Sequence, residues 1–201
     1  MELVNKNPVL TWEQIENPKF IKSPNFYKGR RKNEELIVIH TIESPEKSTI
    51  AESIAKNWFG QSASRVSAHI TVDNDSIVQC VWDSNTAWHC KNANSNGLGL
   101  ELAGEAKQTE NQWDDAFSQN VLSIGAQVVA YWSVKYEIPI QMAEWAPGTS
   151  NVTKKGLCGH VHVPGHGSHY DPGVNFPWSD FLTLTQRYRK LYEAYLNSKG
   201  H

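Results

Sequence analysis

Apolar positions along the chain fall into two alternating rhythms. Leu36-Ile37-Val38-Ile39 is an uninterrupted apolar, β-branched run, the pattern of a strand buried on both faces, and His40 stands at its end. Ala68 to Val72 and Ile77 to Val81 flank Asp73-Asn74-Asp75-Ser76, whose turn chemistry predicts a hairpin. Gly97-Leu98-Gly99-Leu100-Glu101-Leu102 reads as a further apolar strand broken by one carboxylate, and Leu157 to Val163 as a short strand before a Pro-Gly-His-Gly loop. Between these runs the period lengthens. Thr49-x-x-Glu52 has capping-box spacing and predicts a helix with Ile50, Ile54 and Trp58 on its inner face. Phe117, Val121, Ile124, Val128 and Trp132 recur at helical spacing, predicting a long helix over about 113–135. Phe181 to Leu196 predicts a closing helix with Leu184, Tyr188, Leu191 and Tyr195 inward. Residues 1–34 read as an irregular arm with one short helix, opened by Thr11-Trp12-Glu13-Gln14 and ended by Pro18.

Helices alternate with strands and one hairpin makes the sheet mixed, so the expected fold class is α/β: a single domain with a central mixed β-sheet flanked by helices. The expected division is an N-terminal arm, 1–34, and one domain over 35–201 that ends in the closing helix. A length of 201 residues accommodates one domain with a full core. With 39% apolar and 20% charged residues the composition is globular, and a net charge of −2 gives no bulk attraction to nucleic acid or an anionic membrane. No apolar run approaches the roughly 18 residues of a membrane span. The N-terminus lacks a basic segment followed by an apolar one, so the expectation is synthesis in the cytoplasm without a signal peptide. Cys80, Cys90 and Cys158 are odd in number and lack CxxC spacing, which argues against a disulfide framework. Eight tryptophans are many for this length, and serve either as core or as sugar-stacking faces.

Three places put polar groups where the core pattern expects apolar ones. His40 ends a buried strand, as a hydrogen-bonded residue or as a ligand. Glu101 lies inside an apolar strand, where a carboxylate is costly unless paired or functional, though alternation at a sheet edge would also point it to solvent. The third is the segment from Gly159 to Gly173, in which four of the eight histidines fall within ten residues (His160, His162, His166, His169) shortly before Asp171. Imidazole and carboxylate together suit zinc, whose catalytic sites use three protein ligands and keep one position open.

Val38-Ile39-His40, Val66-Ser67-Ala68-His69, Ala87-Trp88-His89, Leu98-Gly99-Leu100-Glu101-Leu102, Gly159-His160 and Asp171-Pro172-Gly173 occur in the order seen in type 2 N-acetylmuramoyl-L-alanine amidases. The chain resembles that family from about residue 36 to 178. The family includes phage lysozyme-like amidases, the muropeptide-recycling amidase and the peptidoglycan-recognition proteins. The resemblance implies zinc at the end of the sheet, held by His40, His160 and Asp171, with Glu101 as the base. It implies hydrolysis of the amide between N-acetylmuramic acid and L-alanine, with peptidoglycan or a muropeptide as the partner; the sequence leaves the oligomeric state open, with a monomer favoured. His169 stands where relatives carry a lysine that supports the oxyanion. His162, two residues from His160, would face the same way on a strand. A phage endolysin released by a partner pore is the first expectation, and a cytoplasmic recycling amidase the second. Two rivals remain: a lysostaphin-like zinc endopeptidase built on His69, Asp73 and His160-Val161-His162, and a non-catalytic peptidoglycan-binding protein.

Overall fold

The computed structural model describes residues 8–200. Its centre is a six-stranded sheet of β1 (Lys19–Phe20), β3 (Leu36–Thr41), β4 (Ile70–Val72), β5 (Ile77–Gln79), β7 (Gly97–Leu102) and β10 (Gly156–Gly159), in the order β1-β5-β4-β7-β3-β10. Only β4 and β5 pair antiparallel; the other neighbours are parallel, so the sheet is mixed as expected. Two small ribbons lie outside it, β2 (Phe26–Tyr27) with β6 (Thr86–Ala87) and β8 (Glu144–Trp145) with β9 (Val152–Lys154).

Strand β3 is buried on both faces because the sheet has two cores. Ile37 and Ile39, together with Leu98, Leu100 and Leu102 of β7, pack under α4 (Ala116–Lys135) and α5 (Trp178–Ser198). Leu36 and Val38 point the other way, towards Cys90, Ala93, Cys158 and Val163. Parallel register places Val38 beside Gly99 and His40 beside Glu101, so the polar residues of both strands share this second face.

Four local expectations change. The helix predicted over 113–135 is two: α3 (Glu110–Trp113), opened by a Thr109–Gln112 capping box, and α4, whose Asp115 accepts from the Ser118 N–H. Thr49 makes no cap; Asp73 of the hairpin turn instead accepts from the Ala51 N–H at the start of α2 (Ile50–Ile54). A π-helical turn over Ala55–Phe59 follows α2, and its wider turn brings Phe59 inward, on a face with Ala51 and Ala55, leaving Trp58 53% exposed. In α5, Tyr192 is buried and Leu191 is exposed, because Tyr192 packs against Trp12 at 4.9 Å between ring centroids.

That contact belongs to residues 8–34, which carry α1 (Trp12–Glu16), β1 and β2. Helix α1 keeps its Thr11–Gln14 capping box. Gln127, buried on α4, accepts from the Val9 and Leu10 N–H groups and donates to the Leu10 carbonyl. Strand β1 then adds to the sheet edge beside β5. All three cysteines are free and buried, and no helix of the described residues is long and apolar enough to cross a membrane.

Candidate metal centre and active site

His40 lies near the C-terminal end of β3, Glu101 at the same level of β7, and His160 directly after β10. The loop that follows returns Asp171 to the same sheet end. Gly173 closes that return with φ +94, and a Cβ there would lie 1.8 Å from the Ala106 carbonyl oxygen, so only glycine fits.

One ligand atom each from His40, His160 and Asp171 lies within 4.8 Å of the other two, and all three residues are buried. Asp171 Oδ2 is 2.9 Å from His40 Nδ1, and its Oδ1 is 3.5 Å from His160 Nδ1. Burial works against the charge of Asp171, but contacts from His160 and His40 outweigh it and hold the carboxyl far below its ordinary range. Burial also lowers the pKa of His40, overriding Asp171, so the ring is neutral near pH 7. Two imidazole nitrogens with one carboxylate oxygen suit zinc. The donor set therefore fits a metal cation.

Glu101 stands beside this trio with His40 as its register partner on β3 and Thr71 on β4. Burial pushes its carboxyl well above the usual range, and Asp171 and Glu43 add to the effect. A cation held by the trio would act in the opposite sense and favour the charged form. His169 lies at the mouth, 60% exposed, stacked on the His160 ring at 3.9 Å, with Nδ1 3.7 Å from Asp171 Oδ1. Its pKa is lowered, by burial first and by His160 second, with Asp171 opposing.

Among the described residues, His162, His166 and His69 make their contacts away from the trio. His160–His162 is a 3₁₀ turn, not a strand, so His162 does not share the direction of His160: its Nδ1 accepts from the Gly159 N–H and its ring lies against Trp178. His166 caps its own loop through the His169 carbonyl. His69 is fully buried, with Nδ1 accepting from the Gly99 N–H, and Asp73 is occupied by its own turn and by α2. His89 touches His40 instead, with Nδ1 3.1 Å from His40 Nε2.

The site opens into a cavity of about 210 Å³ lined by His40, Glu101, His160, His169 and Asp171, with Trp58 and Trp88 among its wall residues. A neighbouring lobe of about 480 Å³, sharing Trp88, His89, His160 and His169, continues towards Arg65 and Lys91. Sequence reading missed Trp58 at this wall, because the π-helical turn that exposes it has no local signature. It also missed Glu43, which adopts a left-handed φ of 56 and accepts from the Thr41 hydroxyl and the Ala106 N–H.

Residues 30–174 match the family model described as N-acetylmuramoyl-L-alanine amidase. N-acetylmuramoyl-L-alanine amidase A of Achromobacter lyticus is 28% identical over 178 residues, covering 86% of this chain and 93% of its own. Among solved structures, the fold is similar to Staphylococcus aureus hydrolase AmiA, solved in complex with its ligand (TM-score 0.63, 16% identity, 94% of this chain and 95% of that one). It is also similar to a selenomethionine derivative of AmpD (TM-score 0.59, 22% identity, 89% and 97%). The family match spans most of the chain and takes in His40, Glu101, His160 and Asp171, and on that ground the chain belongs to the N-acetylmuramoyl-L-alanine amidase family and has that family's amidase activity on peptidoglycan.

Proposed function

We propose that the amidase is zinc-dependent, with His40, His160 and Asp171 as the ligands, Glu101 as the general base and His169 as a donor to the oxyanion. The observation that carries this reading is the convergence of three ligand atoms within 4.8 Å beside a buried carboxylate on the adjoining strand. Bound zinc supplies a Lewis-acid centre that activates water and polarises a carbonyl. Glu101 takes one proton from the water that attacks the lactyl carbonyl. It then delivers that proton to the alanine nitrogen as the C–N bond breaks, leaving a free amine and a lactyl carboxylic acid that ionises by giving its remaining proton to solvent. His169, at the mouth, is placed to donate an N–H to the developing oxyanion, where a lysine stands in relatives.

The setting we favour is an endolysin, released to the wall by a partner pore. Two adjoining cavities on one surface support a polymeric substrate over a small one. The test is digestion of intact sacculi and of soluble muropeptides by the wild type and by Glu101→Gln, with mass analysis of the products. Free lactyl groups and new N-terminal alanine from sacculi are expected. The variant should keep its zinc and lose roughly two to four orders of magnitude in rate, the scale of a general base. Near-normal turnover would remove Glu101 from the chemistry. Activity confined to soluble muropeptides would replace the endolysin with a recycling enzyme, and new termini within the cross-bridge would mean an endopeptidase.

A further inference from the structure

The role of His89 is set by three hydrogen-bonding groups in a row. Its Nε2 lies 3.2 Å from the Gly97 carbonyl oxygen, and its Nδ1 lies 3.1 Å from His40 Nε2. A carbonyl oxygen can only accept, so the proton of a neutral His89 belongs on Nε2 and its Nδ1 carries a lone pair. That lone pair requires a proton on His40 Nε2. His40 Nδ1 is then left with its lone pair directed at Asp171 and the ligand trio. The opposite arrangement would set the lone pairs of His89 Nε2 and Gly97 O against each other at 3.2 Å. It would also spend His40 Nδ1 on a proton to Asp171, where a metal needs it.

Strand β7 is shaped for this ring. A Cβ on Gly99 would lie 2.6 Å from His89 Cγ and 2.8 Å from Nδ1, and one on Gly97 would lie 3.4 Å from Cε1. The Gly-x-Gly before Glu101 thus leaves the imidazole a bed on the same face as His40. Arg30 holds the far end of the row, donating through Nη2 to the Gly97 carbonyl at 2.8 Å. Asn94 fixes the backbone by accepting from the N–H groups of His89 and Cys90.

We infer that His89 is the positioning residue of the metal centre: by accepting from His40 Nε2 it locks His40 in the tautomer and ring orientation that present Nδ1 to the metal. Metal-bound histidines generally direct their second nitrogen to a carboxylate, a carbonyl or water. Here another histidine does so, anchored in turn on the backbone of the strand that carries Glu101. The inference rests on the zinc reading above.

The experiment uses the full chain with His89→Phe, which keeps an aromatic ring and removes the acceptor, and His89→Asn, which returns a side-chain oxygen near the place of Nδ1. Zinc affinity is read by competition with a chromophoric chelator, and the tautomer of His40 by nitrogen–proton correlation of the imidazoles in the zinc-loaded wild type. The expected result is a zinc affinity lower by about 10–100-fold in His89→Phe, the usual effect of losing such a partner. His89→Asn should recover most of it, and the His40 proton should lie on Nε2. A proton on His40 Nδ1, or a folded His89→Phe protein with wild-type zinc affinity, overturns the inference and leaves the ligand assignment standing. A wild type that takes up no zinc overturns the metal reading itself and the inference with it. If His89→Phe fails to fold, the wild-type tautomer measurement still decides.

Discussion

Asp83 and Asp171 are each 8% exposed, yet their surroundings are opposites. Around Asp83 the oxygens meet donors: Gln79 Nε2 at 3.1 Å on one, and Trp132 Nε1, Lys135 Nζ and Tyr136 OH at 2.9 to 3.2 Å on the other. Burial disfavours its charge, but His69 and Lys135 lead the contacts that hold its pKa below the ordinary value. This knot ties the turn after β5 to the end of α4 and is complete as it stands. Asp171 faces the Nδ1 atoms of His40, His160 and His169. There the ligand atoms of three residues converge in a group that could hold a metal ion. Burial by itself therefore does not mark function; the balance of donors and acceptors does.

The contrast yields three tests, in falling order of effect. Asp171→Ala should lose its zinc, from about one per chain to none, and lose turnover entirely, while the unfolding midpoint of the metal-free protein moves by only a few degrees. Metal analysis beside calorimetry checks this, and a variant that keeps stoichiometric zinc would take Asp171 out of the site. Asp83→Asn should do the reverse. Breaking a buried charge cluster by removing one member costs on the order of 4 kcal/mol of stability. Denaturant unfolding should show that loss with zinc content unchanged, and a loss of zinc would mean that the two regions are coupled.

The smallest effect concerns His69, which lies between them. Burial first, and the Arg30 charge second, lower its pKa to about 4. An unfolded histidine titrates near 6.5, so between these values the unfolded chain binds the extra proton. Stability should therefore fall as pH drops from about 6.5 towards 4, by up to roughly 3 kcal/mol from this residue. His40 and His89 are also lowered and add to the slope in metal-free protein, so the difference between wild type and His69→Gln is the quantity to measure. Parallel stability–pH curves for the two would show that His69 titrates normally.

Much of this molecule was legible one segment at a time. The continuous apolar run of β3, the Asp73–Ser76 turn and the Thr11–Gln14 box are local patterns whose physics closes within a few residues. The polar interruptions at His40 and Glu101 were conspicuous because an apolar strand makes a carboxylate or imidazole expensive.

Sequence by itself thus determined the alternation of strands and helices, the mixed sheet, and which polar residues needed an explanation. Tertiary structure alone decided which face several individual residues took. Phe59 replaces Trp58 inside because a π-helical turn shifts the register, and Tyr192 replaces Leu191 because Trp12 comes from far along the chain to meet it. Asp73 takes over the cap from Thr49 because the hairpin turn reaches the start of α2. His162 leaves the site because 160–162 winds into a 3₁₀ turn. The link from His89 to His40 spans 49 positions, and no local pattern carries it. Periodicity reports the environment averaged over one element, whereas a ligand set or a proton's place on a ring depends on atoms that only packing brings within 3 Å or so of one another.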